Sequence, residues 1–207
     1  MFLRASLVLA STAFLTLGAP GTSLAEPSYV GKAGCTSCHK MVGISWEMSA
    51  HAKAFDSLRR GVKSEEKTKA KLDPNKDYTK DEKCLSCHVT GYQKEGGFKD
   101  EASTPEMASI SCESCHGPGS QYKVLHDEKK AGFTKQEAKA AGETYATDDP
   151  AVCTSCHLGK DSPFTEAVDK KYKFDVQKAL DERKGLHKKE SAMKDGARSR
   201  LLRSAPQ

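Results

Sequence analysis

Residues 35–39 read Cys35-Thr36-Ser37-Cys38-His39, and the same Cys-x-x-Cys-His pattern returns three more times along the chain. The other copies are Cys84-Leu85-Ser86-Cys87-His88, Cys112-Glu113-Ser114-Cys115-His116 and Cys153-Thr154-Ser155-Cys156-His157. We number them motifs 1 to 4 in chain order. Together they use all eight cysteines of the 207-residue chain. Their spacing is uneven, so the chain is not a simple repeat array.

This pentapeptide is typical of covalent attachment of a c-type haem. Two thiols separated by two residues can reach the two vinyl groups of a porphyrin, and the adjoining imidazole then lies over the iron as the proximal ligand. A zinc ribbon, a redox dithiol or disulfides also pair cysteines, but none explains a histidine at the next position four times. The motifs predict four covalently attached haem c groups. The predicted attachment residues are Cys35, Cys38, Cys84, Cys87, Cys112, Cys115, Cys153 and Cys156, and the predicted proximal ligands are His39, His88, His116 and His157.

The composition agrees with a fold built around cofactors. Only 37% of the residues are hydrophobic and 29% are charged, whereas about 45–50% apolar residues is usual for globular chains. A thin protein core needs a substitute, and covalently bound porphyrins supply apolar mass. We therefore expect a mainly α, multihaem cytochrome c fold, in which helices and loops surround four haems with little or no sheet.

The N-terminal segment is typical of a secretory signal peptide. Arg4 precedes a short apolar run, and Ser23-Leu24-Ala25 offers small residues for cleavage after residue 25. The run is too short and interrupted for a spanning helix, and no later stretch is apolar enough to cross a bilayer. We expect a signal peptide at 1–25, a periplasmic tetrahaem domain at 26–187, and a basic, mobile tail at 188–207.

The charge distribution argues against a nucleic-acid partner. The chain has 33 Lys plus Arg against 28 Asp plus Glu, a formal charge of +5, and bases alternate with acids along its body. Cleavage after Ala25 removes Arg4 and no acid, leaving +4, and residues 188–207 alone carry +4. The body between them is formally neutral and has no basic stripe of the kind that binds phosphates. Haem propionates would make that body acidic, which predicts salt-dependent association with protein partners.

Counting axial ligands leaves one iron different from the others. Four haem irons have eight axial positions, whereas the chain has seven histidines. His51, His126 and His187 remain after the proximal ligands are assigned, and each is either a distal ligand or a buried, hydrogen-bonded histidine. If all three are ligands, one iron lacks a second histidine. That iron can bind a small molecule such as nitric oxide, or a methionine, of which Met107 is the candidate.

The hydrophobic pattern predicts mainly helices. Ile44, Met48, His51 and Phe55 follow one helical stripe, which we expect to face inward. The predicted helices lie at about 40–60, 62–72, 134–145 and 175–190, the third opening on a capping box of Thr134 and Glu137.

Several strings between the motifs carry a more specific resemblance. They are Gly34 to Lys40, Ser45-Trp46 with Ala50-His51-Ala52-Lys53, Lys71-Leu72-Asp73-Pro74 with Lys76-Asp77-Tyr78-Thr79, and Cys112 to Gly119. In these segments the chain resembles the tetrahaem cytochrome c-554 family of ammonia-oxidising bacteria. The resemblance is nearly continuous from about 31 to 126 and looser from 163 to 187.

The resemblance implies a periplasmic electron carrier. It would accept electrons from hydroxylamine oxidoreductase and pass them towards the quinone pool through membrane or soluble c-type cytochromes. It also implies that His126 lies opposite His39, His51 opposite His116, and His187 opposite His157.

The haem of motif 2 would then be five-coordinate. The alternative function is nitric oxide binding or reduction at this open haem, with Ser162 and Phe164 on its distal side. A ligand sensor would need an output module that this length does not contain.

Overall fold

The computed structural model describes residues 25–129 and 132–182. Their α-helices are α1 (Lys32–Thr36), α2 (Lys40–Glu47), α3 (Ser64–Lys69), α4 (Glu82–His88), α5 (Cys112–His116), α6 (Tyr122–Lys129), α7 (Lys135–Ala140) and α8 (Ala151–His157). Short 3-10 turns lie at His51–Lys53, Asp56–Leu58, Pro105–Met107 and Lys170–Tyr172, and residues 176–182 are helical. The described residues form no sheet, and an isolated antiparallel bridge joins Val89 to Ala108. The predicted mainly α fold is confirmed.

Three predictions fall on residues that the structure does not describe. The signal peptide predicted at 1–25 lies outside the described residues except for Ala25, as do His187 and the tail predicted at 188–207. Among the residues that are described, no helix has both the length and the apolar character needed to cross a membrane.

Local side-chain chemistry explains several helix ends. The Asp81 carboxylate accepts from the Lys83 backbone N–H and begins α4. The predicted capping box is confirmed, since Thr134 and Glu137 each accept from the other's backbone at the start of α7. Helix α7 ends at Ala140 instead of near residue 145, because Gly142 adopts a left-handed φ of 94° just beyond it.

The continuous helix predicted over 40–60 is wrong. Helix α2 ends at Glu47, and Ile44 and Met48 are 51% and 80% exposed, whereas Phe55 is 3% exposed. The break is set by a distant segment: the Trp46 indole donates to the Ile110 carbonyl at 2.7 Å, and the Ile110 N–H donates to the His51 carbonyl at 3.1 Å. These contacts turn the chain between α2 and the next 3-10 turn.

The apolar core is small and surrounds motif 2. Leu85, between the two cysteines of that motif, is 5% exposed and packs inside the cluster. Met107, the methionine considered as an iron ligand, also lies in this cluster and is 6% exposed. The cluster consists of Phe55, Leu58, Tyr78, Leu85, Val89, Phe98 and Met107. Helix α4, which carries the second motif, is therefore anchored by its apolar face.

The segment before α1 is hydrogen-bonded to two loops that lie far along the chain. The Ser28 N–H donates to the Ser120 hydroxyl at 2.8 Å, and the Tyr29 N–H donates to the Glu95 carbonyl at 3.0 Å. Gly96 has a φ of 73°, and a Cβ there would lie 2.3 Å from the Tyr29 carbonyl oxygen. The chain immediately after Ala25 is thus tied to loops that follow motifs 2 and 3.

Candidate functional site

Three of the four motifs occupy the C-terminal end of a short helix. Helices α4, α5 and α8 end at His88, His116 and His157. Residues three and four positions apart share one face of a helix, so the two thiols and the imidazole of each motif lie on the same side. Motif 1 differs, because α1 ends at Thr36 and His39 precedes α2.

His88 is held in the form that a metal requires. Its Nδ1 lies 2.6 Å from the Ala54 carbonyl oxygen, which can only accept, so Nδ1 carries the proton and Nε2 is left unprotonated. Burial lowers the pKa of His88, against a raising effect of the Ala54 hydrogen bond. A neutral ring oriented by a backbone carbonyl is the usual arrangement of a metal-ligating histidine.

The thiols of different motifs meet in pairs. Cys35 hydrogen-bonds to Cys112, which raises the pKa of Cys35 and lowers that of Cys112 to about 7. In the same way Cys156 hydrogen-bonds to Cys87, and the pKa of Cys87 falls to about 6. The attachment points of motifs 1 and 3 therefore lie side by side, and so do those of motifs 2 and 4.

The donor set fits haem attachment. None of the eight cysteines, all of which lie in the described segments, is in a disulfide, and no three metal-ligating side chains converge within those segments as a zinc site would need. The His126 Nε2 atom is buried with no hydrogen-bond partner, while its ring stacks on Phe133 at a centroid distance of 4.2 Å. A buried imidazole nitrogen of this kind suits an axial iron ligand.

One carboxylate lies beside two histidines. Glu143 Oε1 is 3.7 Å from His116 Nδ1, and Glu143 Oε2 is 3.8 Å from His126 Nε2. The Tyr145 hydroxyl donates to Oε2 at 2.7 Å. Burial opposes ionisation of Glu143, but the hydrogen bonds of His116 and Tyr145 and the charges of both histidines outweigh it, so the pKa of Glu143 is lowered. Burial and the Glu143 contact raise the pKa of Tyr145 to about 12.

His51 and His157 are neighbours. Their ring centroids are 5.9 Å apart, and His157 also stacks on Phe174 at 4.1 Å. Ser162 and Phe164 line a cavity of about 300 Å³ whose wall includes His157. The distal assignments of His51, His126 and His187 and the pocket roles of Ser162 and Phe164 stay predictions.

Two buried polar residues escaped the sequence analysis. Glu113 is 1% exposed and accepts hydrogen bonds from the backbone of Val30, Gly31 and Gly119. Thr90 is 0% exposed, and its hydroxyl donates to the Ser109 carbonyl at 2.8 Å. The sequence does mark Glu113 as unusual, since it is the only charged residue between the cysteines of any motif. Thr90 had none.

The sequence around these motifs is similar to that of known proteins. Over 195 residues, the chain is 37% identical to cytochrome c-554 of Nitrosomonas europaea, an alignment that covers 86% of this chain and 83% of that protein. The chain belongs to the cytochrome c-554 family. The family model for cytochrome c554 and c-prime matches residues 34–117.

The fold agrees with this membership. The structure of the reduced state of cytochrome c554 from Nitrosomonas europaea superposes with a TM-score of 0.69 at 37% identity, covering 75% of this chain and 83% of that one. A shorter match, 33% identical over 79 residues, links 36% of this chain to 22% of the multihaem cytochrome MtrA of Shewanella baltica. This member of the cytochrome c-554 family is a multihaem c-type cytochrome with covalently bound haem c, and it transfers electrons between redox protein partners.

Proposed function

We propose that the chain is a periplasmic tetrahaem electron carrier with one haem c at each motif. The observation that carries the proposal is that three short helices end at the motif histidine, with both thiols on the same face. The first 25 residues act as the export signal, which agrees with haem attachment outside the cytoplasm. Bound haems supply the one-electron chemistry.

The chain's own residues fix each haem and its iron. The eight motif cysteines form the thioether bonds, and His39, His88, His116 and His157 are the proximal ligands. Following the family, His126, His51 and His187 are the distal ligands opposite His39, His116 and His157. His88 then has no histidine partner.

The physiological donor is hydroxylamine oxidoreductase or a similar multihaem oxidoreductase. The acceptor is a downstream c-type cytochrome, either soluble or attached to the membrane, that leads to the quinone pool. Support comes from the membership of the cytochrome c-554 family and from a neutral polypeptide body that propionates would make acidic.

Haem stoichiometry tests the core of the proposal. The full-length chain should be produced in a host that exports and matures c-type cytochromes, and the purified protein weighed by mass spectrometry. We expect the mass of residues 26–207 plus four haems. Replacing Cys35 and Cys38 together with Ala should remove one haem. A colourless, compact product with the mass of the bare polypeptide overturns the proposal.

Ionic strength tests the partner assignment. Association guided by charge weakens when salt screens it, over a Debye length of about 10 Å at 0.1 M. We expect stopped-flow reduction by hydroxylamine oxidoreductase to slow several-fold between about 0.01 and 0.2 M salt. Rates that do not change with salt contradict charge-guided docking, while no reduction at all contradicts the donor.

Nitric oxide chemistry is the second candidate, since the ligand set above leaves the iron of motif 2 without a second histidine. The cavity that Ser162 and Phe164 line has His157 of motif 4 in its wall, so it lies beside the proximal ligand of motif 4 instead of beside His88. The reduced protein should be mixed with excess nitric oxide. Consumption over many turnovers supports catalysis, whereas uptake of one equivalent supports binding only, and no uptake contradicts this candidate.

A further inference from the structure

A carboxylate faces the iron ligands of two different motifs. Glu143 lies 3.7 Å from His116 of motif 3 and 3.8 Å from His126, which follows that motif on α6. Its side chain is 10% exposed. A charge at this depth is poorly screened by water, so its effect on neighbouring groups is larger than that of a surface carboxylate.

The backbone around Glu143 is fastened to motif 3. The Thr144 N–H donates to the His116 carbonyl at 2.9 Å, and the Thr144 hydroxyl donates to the Cys115 carbonyl at 2.8 Å. The Glu143 N–H donates to the Ala138 carbonyl at 2.9 Å, which joins it to the end of α7. The carboxylate is thus held beside the two rings from both sides by main-chain hydrogen bonds.

We propose that Glu143 is a tuning residue for two haems, because it places one buried negative charge against a ligand of each iron. The inference rests on the proposed function, in which His116 ligates the iron of motif 3 and His126 that of motif 1. A ferric centre carries one more positive charge than a ferrous one, so a nearby carboxylate stabilises the oxidised form. At His116 the carboxylate faces Nδ1 and leaves Nε2 for the iron, an arrangement that also increases the electron-donating power of the imidazole. At His126 its effect is that of a nearby negative charge.

The consequence is a selective shift of two reduction potentials. Glu143 lowers the potentials of the haems at motifs 1 and 3 below the values that these haems would have without its charge. The carboxylate contacts ligands of those two motifs, so their potentials are the ones that its removal should raise.

The test is a potentiometric titration of the holoprotein carrying Glu143→Gln, followed by absorbance and electron paramagnetic resonance. Each step adds one electron from the redox mediator to one ferric iron, which becomes ferrous, with no bond formed or broken at residue 143. Two of the four steps should move to more positive potential by about 59 mV, equivalent to about a tenfold change in each reduction equilibrium constant. The other two should not move.

Two further variants separate a charge effect from a structural one. Glu65→Gln removes the same charge from a side chain that is 82% exposed, and it should leave all four steps unchanged. Glu143→Asp keeps the charge in the same pocket, so its shift should be smaller than that of Glu143→Gln. Equal shifts in the Asp and Gln variants, a shift of all four steps, or no shift at all overturn the inference. A wild-type protein that lacks haem would instead defeat the proposed function.

Discussion

The acidic residue inside motif 3 acts as a structural clamp. The Glu113 carboxylate accepts from the backbone N–H groups of Val30, Gly31 and Gly119 at 3.0, 2.8 and 2.7 Å. Buried backbone donors need partners, and charged acceptors form the stronger hydrogen bonds. The segment before motif 1 is therefore fastened to the loop after motif 3 through one side chain. The sequence shows that Glu113 is unusual, but not which donors it meets.

Glu113→Gln should destabilise the holoprotein. The amide keeps the shape but loses the charge, and its NH₂ group faces backbone donors instead of accepting from them. We expect the free energy of unfolding to fall by about 3 kcal/mol, measured by guanidinium titration with far-ultraviolet circular dichroism.

Glu106→Gln is the matched control for that variant, because Glu106 accepts from the Ala33 N–H in an exposed position at 3.4 Å. Its effect should be below about 0.5 kcal/mol. Equal losses in the two variants would show that burial of the Glu113 carboxylate is unimportant.

Elements whose boundaries are set locally were predictable, and those set by distant contacts were not. The capping box of Thr134 and Glu137 is written in four consecutive residues and is confirmed in α7. The stripe through Ile44 and Met48 also has helical spacing, yet α2 ends at Glu47. Trp46 and His51 both form hydrogen bonds with the backbone of Ile110. The hydrophobic periodicity of residues 40–60 contains no information about a partner so far along the chain, so it could not predict where α2 ends. Helical spacing alone therefore overestimated both the length and the burial of this element.

Thr134→Ala should loosen α7. The Thr134 hydroxyl accepts from the Glu137 N–H at 3.2 Å, and its loss leaves a first-turn donor without its cap. The expected cost is about 1 kcal/mol, and Thr134→Ser, which keeps the hydroxyl, should cost less. Hydrogen exchange with mass spectrometry should show faster exchange in residues 135–140 and no change in α4. Unchanged exchange in α7 would contradict the role of the cap.

At the scale of the whole molecule, chain order and spatial order differ. Motif 1 meets motif 3 through Cys35 and Cys112, and motif 2 meets motif 4 through Cys87 and Cys156. The sequence supports the number of attachment sites, because each site is encoded in five consecutive residues. The neighbour relations depend instead on how the loops between the motifs close, for example through Glu113 and the segment before α1. Helix α5 contacts both α1 and α8, so motif 3 lies against motif 4 as well as against motif 1.

The chain has fewer histidines than four haem irons have axial positions. Seven histidines cannot fill eight axial positions. Met107, the methionine considered as an eighth ligand, is packed in the apolar cluster. We expect the oxidised holoprotein to give one high-spin and three low-spin haem signals in low-temperature electron paramagnetic resonance. His126→Ala should convert one low-spin haem, giving two of each kind, because alanine removes the imidazole that ligates this iron in the proposed ligand set. His126→Met provides the control, since a thioether can restore low-spin ligation. Four low-spin signals in the wild type would mean that another side chain completes the iron of motif 2, and an unchanged spectrum in His126→Ala would exclude His126 as a ligand.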